Sequence, residues 1–256
     1  MLPRSGLPSF LQRIPPVTLN LLGLNLLVYI LMSIIPSMDN ALTRHLALYY
    51  PTSANFGIYQ LITYQFLHAG FGHLFFNMFA LLMFGGIIER TMGSARFLFY
   101  YLSCGIFAGL VQMGVFALII NHTAQFLTPE QYHYALYDMY RDAVTTGYAS
   151  MPVTPEMYSV FQYVNTPMVG ASGAIYGVLL AFGMLFPNQP IYMMFIPIPI
   201  KAKWLIVGYF VLELIYGVTG SAQGVAHFAH LGGMIFGFFM ILYWKRRGVL
   251  NNHWFF

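Results

Sequence analysis

A serine set among small residues in Gly170-Ala171-Ser172-Gly173, and a histidine in Ala229-His230-Leu231-Gly232-Gly233, are the two groups of this chain whose types pair as nucleophile and base. The serine opens one apolar stretch and the histidine lies inside a later one. A serine hydroxyl is a weak nucleophile until a base takes its proton, and an imidazole in hydrogen-bond reach serves that purpose. His73 and Asn77, four apart and therefore on one helical face, begin a further apolar stretch. Attack on a peptide carbonyl builds an oxyanion, for which Asn77, His73 and the backbone amide of Ser172 are candidate donors. No aspartate lies in any apolar stretch to orient His230, so the arrangement reads as a dyad and not a triad. Tyr176, four residues beyond Ser172, is placed to stack on the imidazole.

The elements that must position these groups are membrane helices. Of 256 residues 59% are hydrophobic and 7% charged, against about a quarter charged in soluble domains. With roughly 17 to 25 apolar residues needed per crossing, six spans are expected: Val17–Ile35, His73–Ile88, Ala95–Ile120, Val169–Phe186, Trp204–Gly220 and Val225–Trp244. The first is long enough to cross and lacks a cleavage pattern after it, so it reads as a mature helix. Residues 1–16 form an N-terminal segment, 17–244 the membrane domain and 245–256 a C-terminal tail. With the N-terminus inside, Arg4, Arg13, Arg90, Arg96, Lys201, Lys203, Lys245, Arg246 and Arg247 share one side, and only Arg44 and Arg141 face the other. The positive-inside rule then puts both termini in the cytoplasm. The net charge of +4 forms no concentrated basic patch that would suggest nucleic acid. The single cysteine, Cys104, lies in the third span and has no partner for an internal disulfide.

Under this topology the second, fourth and sixth spans run inward, so His73, Asn77, Ser172 and His230 share one depth near the outer face. Gly173 and Gly177, like Gly233 and Gly237, form small-xxx-small pairs that let two helices approach closely. The first outer loop, Pro36–Gly72, reads as partly helical and half immersed. The second, 121–167, carries two helix starts at Thr128-Pro129-Glu130-Gln131 and Thr154-Pro155-Glu156, and its Tyr132, Tyr134, Tyr137 and Tyr140 suit the headgroup level. Pro187 to Ile200, broken by four prolines, reads as a connection near the inner interface. His227 with His230, His68 and His73 would be a metal set, but no carboxylate or thiolate is expected at their level, so no metal and no cofactor is read. Glu213, in the fifth span, reads as a helix–helix contact, with a proton relay as the alternative. Glu89 with Arg90 reads as pinning a loop. The fifth span and Gly217–Gly224 are the expected gate for substrate.

The set His73-Leu-Phe-Phe-Asn77, Gly170-Ala-Ser172-Gly173 and Ala229-His230-Leu-Gly-Gly233 resembles the rhomboid intramembrane serine proteases over about Tyr59 to Gly237. The resemblance implies a six-helix bundle with Ser172 as nucleophile, His230 as general base, His73 and Asn77 in the oxyanion hole and Tyr176 stacked on His230, supported by Gly170, Gly173 and Gly233. It implies cleavage of transmembrane protein substrates near their outer ends, in contact with membrane lipid and without cofactor, in an integral multi-pass protein expected in a bacterial inner membrane. His68 and Gly85-xxx-Glu89-xxx-Gly93 share the family pattern. Tyr59-Gln60 stands where many members have tryptophan-arginine, which removes that arginine as a loop anchor. The rival expectation is a catalytically silent relative that binds membrane clients, although such relatives usually lack the serine or the histidine.

Overall fold

The structure, a computed structural model, describes residues 9–193, 196–220 and 225–250. Helix α1 (Pro16–Ile34) starts with proline at N1, where an N–H would lack a helical partner in any case. Its next amides, Val17 N and Thr18 N, donate to the Glu89 carboxylate at 3.0 and 2.7 Å, which also accepts from Thr18 Oγ1 at 2.8 Å and Ser94 Oγ at 2.7 Å. An anion there complements the helix dipole. Glu89 thus caps the first span as well as tying the turn before Ser94, and Arg90 donates to the Arg13 carbonyl.

Then come α2 (Pro36–Leu46), α3 (Phe71–Met92, with a π-helical turn at Leu81–Gly85) and α4 (Ser94–Ala124). The 31 residues of α4 run about 46 Å, well past the roughly 30 Å of a hydrocarbon core, so one end stands clear of it. That end carries the long loop, built from α5 (Pro129–His133, continued through a π-helical turn Tyr134–Asp138 into Met139–Thr145) and α6 (Pro155–Asn165). Both expected helix starts are present: Thr128 and Gln131 cap each other, and Thr154 Oγ1 accepts from Met157 N at 3.3 Å. The tyrosines do not all face outward, because Tyr134 turns into a small core with Ile120, Leu136, Met157, Val160 and Val164. Its hydroxyl donates to Asp142.

The fourth expected span is corrected. Helix α7 (Ser172–Leu185) has only 14 residues, about 21 Å against a hydrocarbon core of about 30 Å. Residues before it are extended, with Leu48 bridged to Met168, and Gly170 at φ 125 lies in the region that favours glycine, so the helix begins at Ser172 and not Val169. At its far end Phe186, before Pro187, leaves helical geometry. The connection expected over Pro187 to Ile200 takes the form of a ribbon: β1 (Pro190–Met193) and β2 (Ile196–Lys201) pair antiparallel, Ile191 opposite Ile200. A two-stranded ribbon is all edge, and such edges tolerate proline. Helix α8 (Ala202–Thr219) ends at left-handed Gly220, and α9 (His227–Arg246) completes the chain's described helices. Gate residues 221–224 lie outside the described residues.

Five of these helices, α1, α3, α4, α8 and α9, are long and apolar enough to cross a membrane, and α7 sits among them. The core is where α4, α7 and α9 meet, with Phe97, Tyr100, Tyr101 and Cys104 against Ala174, Val178, Ala181, Met234 and Ile241. In lipid no hydrophobic gain separates helix contact from lipid contact, so packing depends on close approach of small residues. A Cβ on Gly233 would fall on the Gly173 carbonyl, and one on Gly177 would stand 2.6 Å from Cys104 Sγ. Both expected glycine pairs are therefore contact points. Helix α8 is the peripheral span: 17% of its apolar window is buried, against 50% for α9.

Candidate active site

Ser172 is the first residue of α7, and the close α7–α9 packing carries it to His230 in the first turns of α9. The His230 Nε2 to Ser172 Oγ distance is 2.8 Å, a hydrogen bond. Tyr176, one turn into α7, stacks on the His230 ring with centroids 4.2 Å apart and planes 7° from parallel. The structure thus brings Ser172, Tyr176 and His230 together.

His73 reaches the same place from α3. A Cβ on Gly170 would lie 2.7 Å from the His73 ring, so the glycine makes room for the imidazole as well as for the turn. Asn77 is buried one turn on, and its Nδ2 donates to the His73 carbonyl at 2.8 Å, which engages one of its two N–H groups. No hydrogen bond joins Asn77 to Ser172 among the described residues. His68 is fully buried with its ring edge on His73, centroids 5.0 Å apart. Burial, with His73 close by, pushes the His68 imidazole down to about 4, so it is neutral at pH 7.

The wall beside Ser172 is held from the first loop. Gly170 N donates to the Tyr64 carbonyl at 2.9 Å, and Tyr64 Oη donates to the Gly105 carbonyl at 2.6 Å on α4. Gln60, where an arginine anchor is absent, is itself completely buried and makes three bonds. Its Nε2 donates to the carbonyls of His45 at 3.1 Å and Asn55 at 2.7 Å, and its Oε1 accepts from Tyr49 N at 3.3 Å. A carboxamide offers both donor and acceptor, so it can tie a loop that an arginine would only donate to.

One residue of the site was not legible as such. Glu213, read as a helix–helix contact with no place beside the histidines, comes from α8 to the rear of His230. Its Oε2 is 2.6 Å from His227 Nδ1, its Oε1 is 3.0 Å from His230 Nδ1, and Tyr176 Oη donates to it. The expectation that no carboxylate shares the histidines' level is therefore wrong. Glu213, His227 and His230 present ligand atoms all within 4.8 Å of one another, a set that could in principle hold a metal. The only signal in the sequence was an ionisable group in mid-span; its side of the helix and its facing partner depend on how α8 rotates and docks.

A protein-family model described as Rhomboid domain matches residues 55–124 and 139–247. RHOMBOID-like protein 12, mitochondrial, of Arabidopsis thaliana is 29% identical over 178 residues, 69% of this chain and 43% of that protein. Rhomboid protein 1, mitochondrial, of Saccharomyces cerevisiae is 26% identical over 247 residues, 91% of this chain and 57% of that protein. Rhomboid protease GlpG of Yersinia pseudotuberculosis is 24% identical over 243 residues, 95% of this chain and 67% of that protein. The chain spans about half the length of the two mitochondrial relatives.

Proposed function

Because this chain belongs to the rhomboid family, a family with relatives named as proteases, we propose that it is an intramembrane serine endopeptidase acting through Ser172 and His230. The observation that carries the reading is the 2.8 Å hydrogen bond between Ser172 Oγ and His230 Nε2 across two closely packed helices of a multi-pass membrane protein. His230 takes the serine proton as Oγ attacks a substrate carbonyl, then returns it to the leaving amine. The Ser172 amide, at the start of α7, with His73 and the free N–H of Asn77, receives the oxyanion. Stacking on Tyr176 keeps the imidazole plane fixed through both transfers. A peptide bond inside a helix hides its carbonyl, so the substrate is a transmembrane segment that unwinds near one end and carries small residues beside the cut. Domain limits at 17–244, and termini on the side rich in lysine and arginine, belong to the same reading. The expected bacterial inner membrane gains no support from relatives, several of which are mitochondrial.

The test is a fluorophosphonate probe on protein in liposomes beside cleavage of a transmembrane substrate. Wild type is expected to be labelled and to cleave, and Ser172→Ala to do neither. An unlabelled, inactive wild type would make the chain a client-binding relative instead.

A further inference from the structure

We infer that Glu213 is a positioning residue for His230, so that the site is a Ser172–His230–Glu213 relay; this rests on the reading of Ser172 and His230 as the catalytic pair. The geometry behind it is convergent. The carboxylate of Glu213, buried on α8, faces three side chains from two other helices: Tyr176 on α7, and His227 and His230 on α9. Tyr176 Oη donates to Oε1 and His227 Nδ1 stands 2.6 Å from Oε2, which holds the carboxylate in place and leaves lone pairs for a further donor. The remaining neighbour is Nδ1 of His230 at 3.0 Å, close but not aligned as a hydrogen bond in this state, as is common before substrate binds.

A bare Nδ1 would set its lone pair against a carboxylate, whereas a protonated one is attracted to it. The carboxylate therefore selects the tautomer with hydrogen on Nδ1 and leaves Nε2 unprotonated, facing Ser172 Oγ at 2.8 Å. That is the tautomer a general base needs. When the Oγ–H bond breaks and an Nε2–H bond forms, the imidazole becomes a cation with the Glu213 charge at its rear. Glu213 keeps no proton of its own throughout, and Nε2 gives its proton to the leaving amine when the peptide bond breaks. Desolvated surroundings make that pairing stronger than it would be in water.

The same three residues do not have the spacing of a metal centre in this state. Two atoms each about 2.0 Å from a tetrahedral zinc stand about 3.3 Å apart, and His227 Nδ1 is 2.6 Å from the carboxylate, which is the distance of a shared hydrogen.

The experiment measures kcat and KM for a transmembrane substrate with wild type, Glu213→Gln, Glu213→Asp and Ser172→Ala, full length in liposomes. Glu213→Gln is expected to lower kcat at least tenfold, by analogy with the about 10⁴-fold loss when a triad aspartate becomes asparagine elsewhere, with KM within twofold. Glu213→Asp, which keeps the charge, is expected to recover part of the loss. Wild-type kcat in Glu213→Gln, or a change confined to KM, overturns the relay while leaving the dyad standing. If Glu213→Gln does not fold, Glu213→Asp decides: kcat lowered at constant KM supports the relay and unchanged kcat overturns it. Wild-type cleavage by Ser172→Ala would instead remove the reading on which the relay rests. Activity should survive chelation; loss that added zinc restores would make the cluster a metal site and overturn the proposal.

Discussion

Ser172, His230 and Tyr176 form a contact set whose chemistry is set by small distances. At this scale the proposed oxyanion donors differ in kind. The Ser172 amide is fixed by α7, but the Asn77 carboxamide already spends one N–H on the His73 carbonyl. Asn77→Ala is therefore expected to lower kcat by about tenfold, at or below the low end of the about 10²–10³ loss seen when an oxyanion donor is removed elsewhere, because His73 and the backbone amide remain. Steady-state cleavage in liposomes checks this, and an unchanged kcat would take Asn77 out of the hole. His230→Ala is expected to remove cleavage altogether, since His230 is the described imidazole hydrogen-bonded to Ser172 Oγ.

Among the elements, the packing of α7 on α9 controls the distance between Ser172 and His230. Gly233 has no room for a Cβ, the obstacle being the Gly173 backbone, which cannot turn aside as a side chain could. Gly233→Ala should push the helices apart beside Ser172 and lower kcat more than tenfold, while Gly208→Ala, with open space around it, leaves activity unchanged. Activity of Gly233→Ala equal to that of wild type would show that the dyad tolerates the shift. The loop on the end of α4 has its own polar centre. Asp142 accepts from the Ser150 amide and the Tyr134 hydroxyl, and these bonds, with Arg141 nearby, hold its carboxyl below the ordinary range. A carboxylate held low contributes stability that is present above its ordinary pKa and is lost as the pH falls through the folded value. Protection factors for hydrogen exchange in 139–150, taken against the intrinsic rate at each pH, should therefore fall under acid, and those of Asp142→Asn should be low already at pH 7. Equal protection in wild type and variant at pH 7 would count against this role.

For the molecule as a whole, the proposed activity requires a transmembrane segment to reach a serine held among helices. Helix α8 is the least buried of the crossing helices described, and it carries Glu213 to the rear of His230. Displacing it to admit a substrate would draw the carboxylate away from the imidazole, so admission and chemistry make opposite demands on α8. A cross-link between α8 and α3 should stop cleavage of transmembrane substrates and leave fluorophosphonate labelling of Ser172 near wild type. Cleavage that continued at full rate would place the entrance elsewhere.

How much of this was open to reading from residues alone varies with the range of the interaction. His73 with Asn77 and Ser172 with Tyr176 are near neighbours along one helix, and the glycine pairs announce close approach; a period of 3.6 residues and a scarcity of charge suffice for both. Membrane class, the approximate place of the crossing helices and the same-helix neighbour of Ser172, Tyr176, were legible in the sequence for that reason. The short α7, the β1–β2 ribbon and the inward turn of Tyr134 were not, because each depends on which neighbours supply hydrogen bonds and packing. Gln60 and Glu213 show the same boundary. Both are polar residues in apolar surroundings, and each had to find partners there. Only the tertiary structure decided that Gln60 ties the loop to itself and that Glu213 stands behind His230, since a side chain's partners on another helix follow from docking and rotation, which local spacing does not encode.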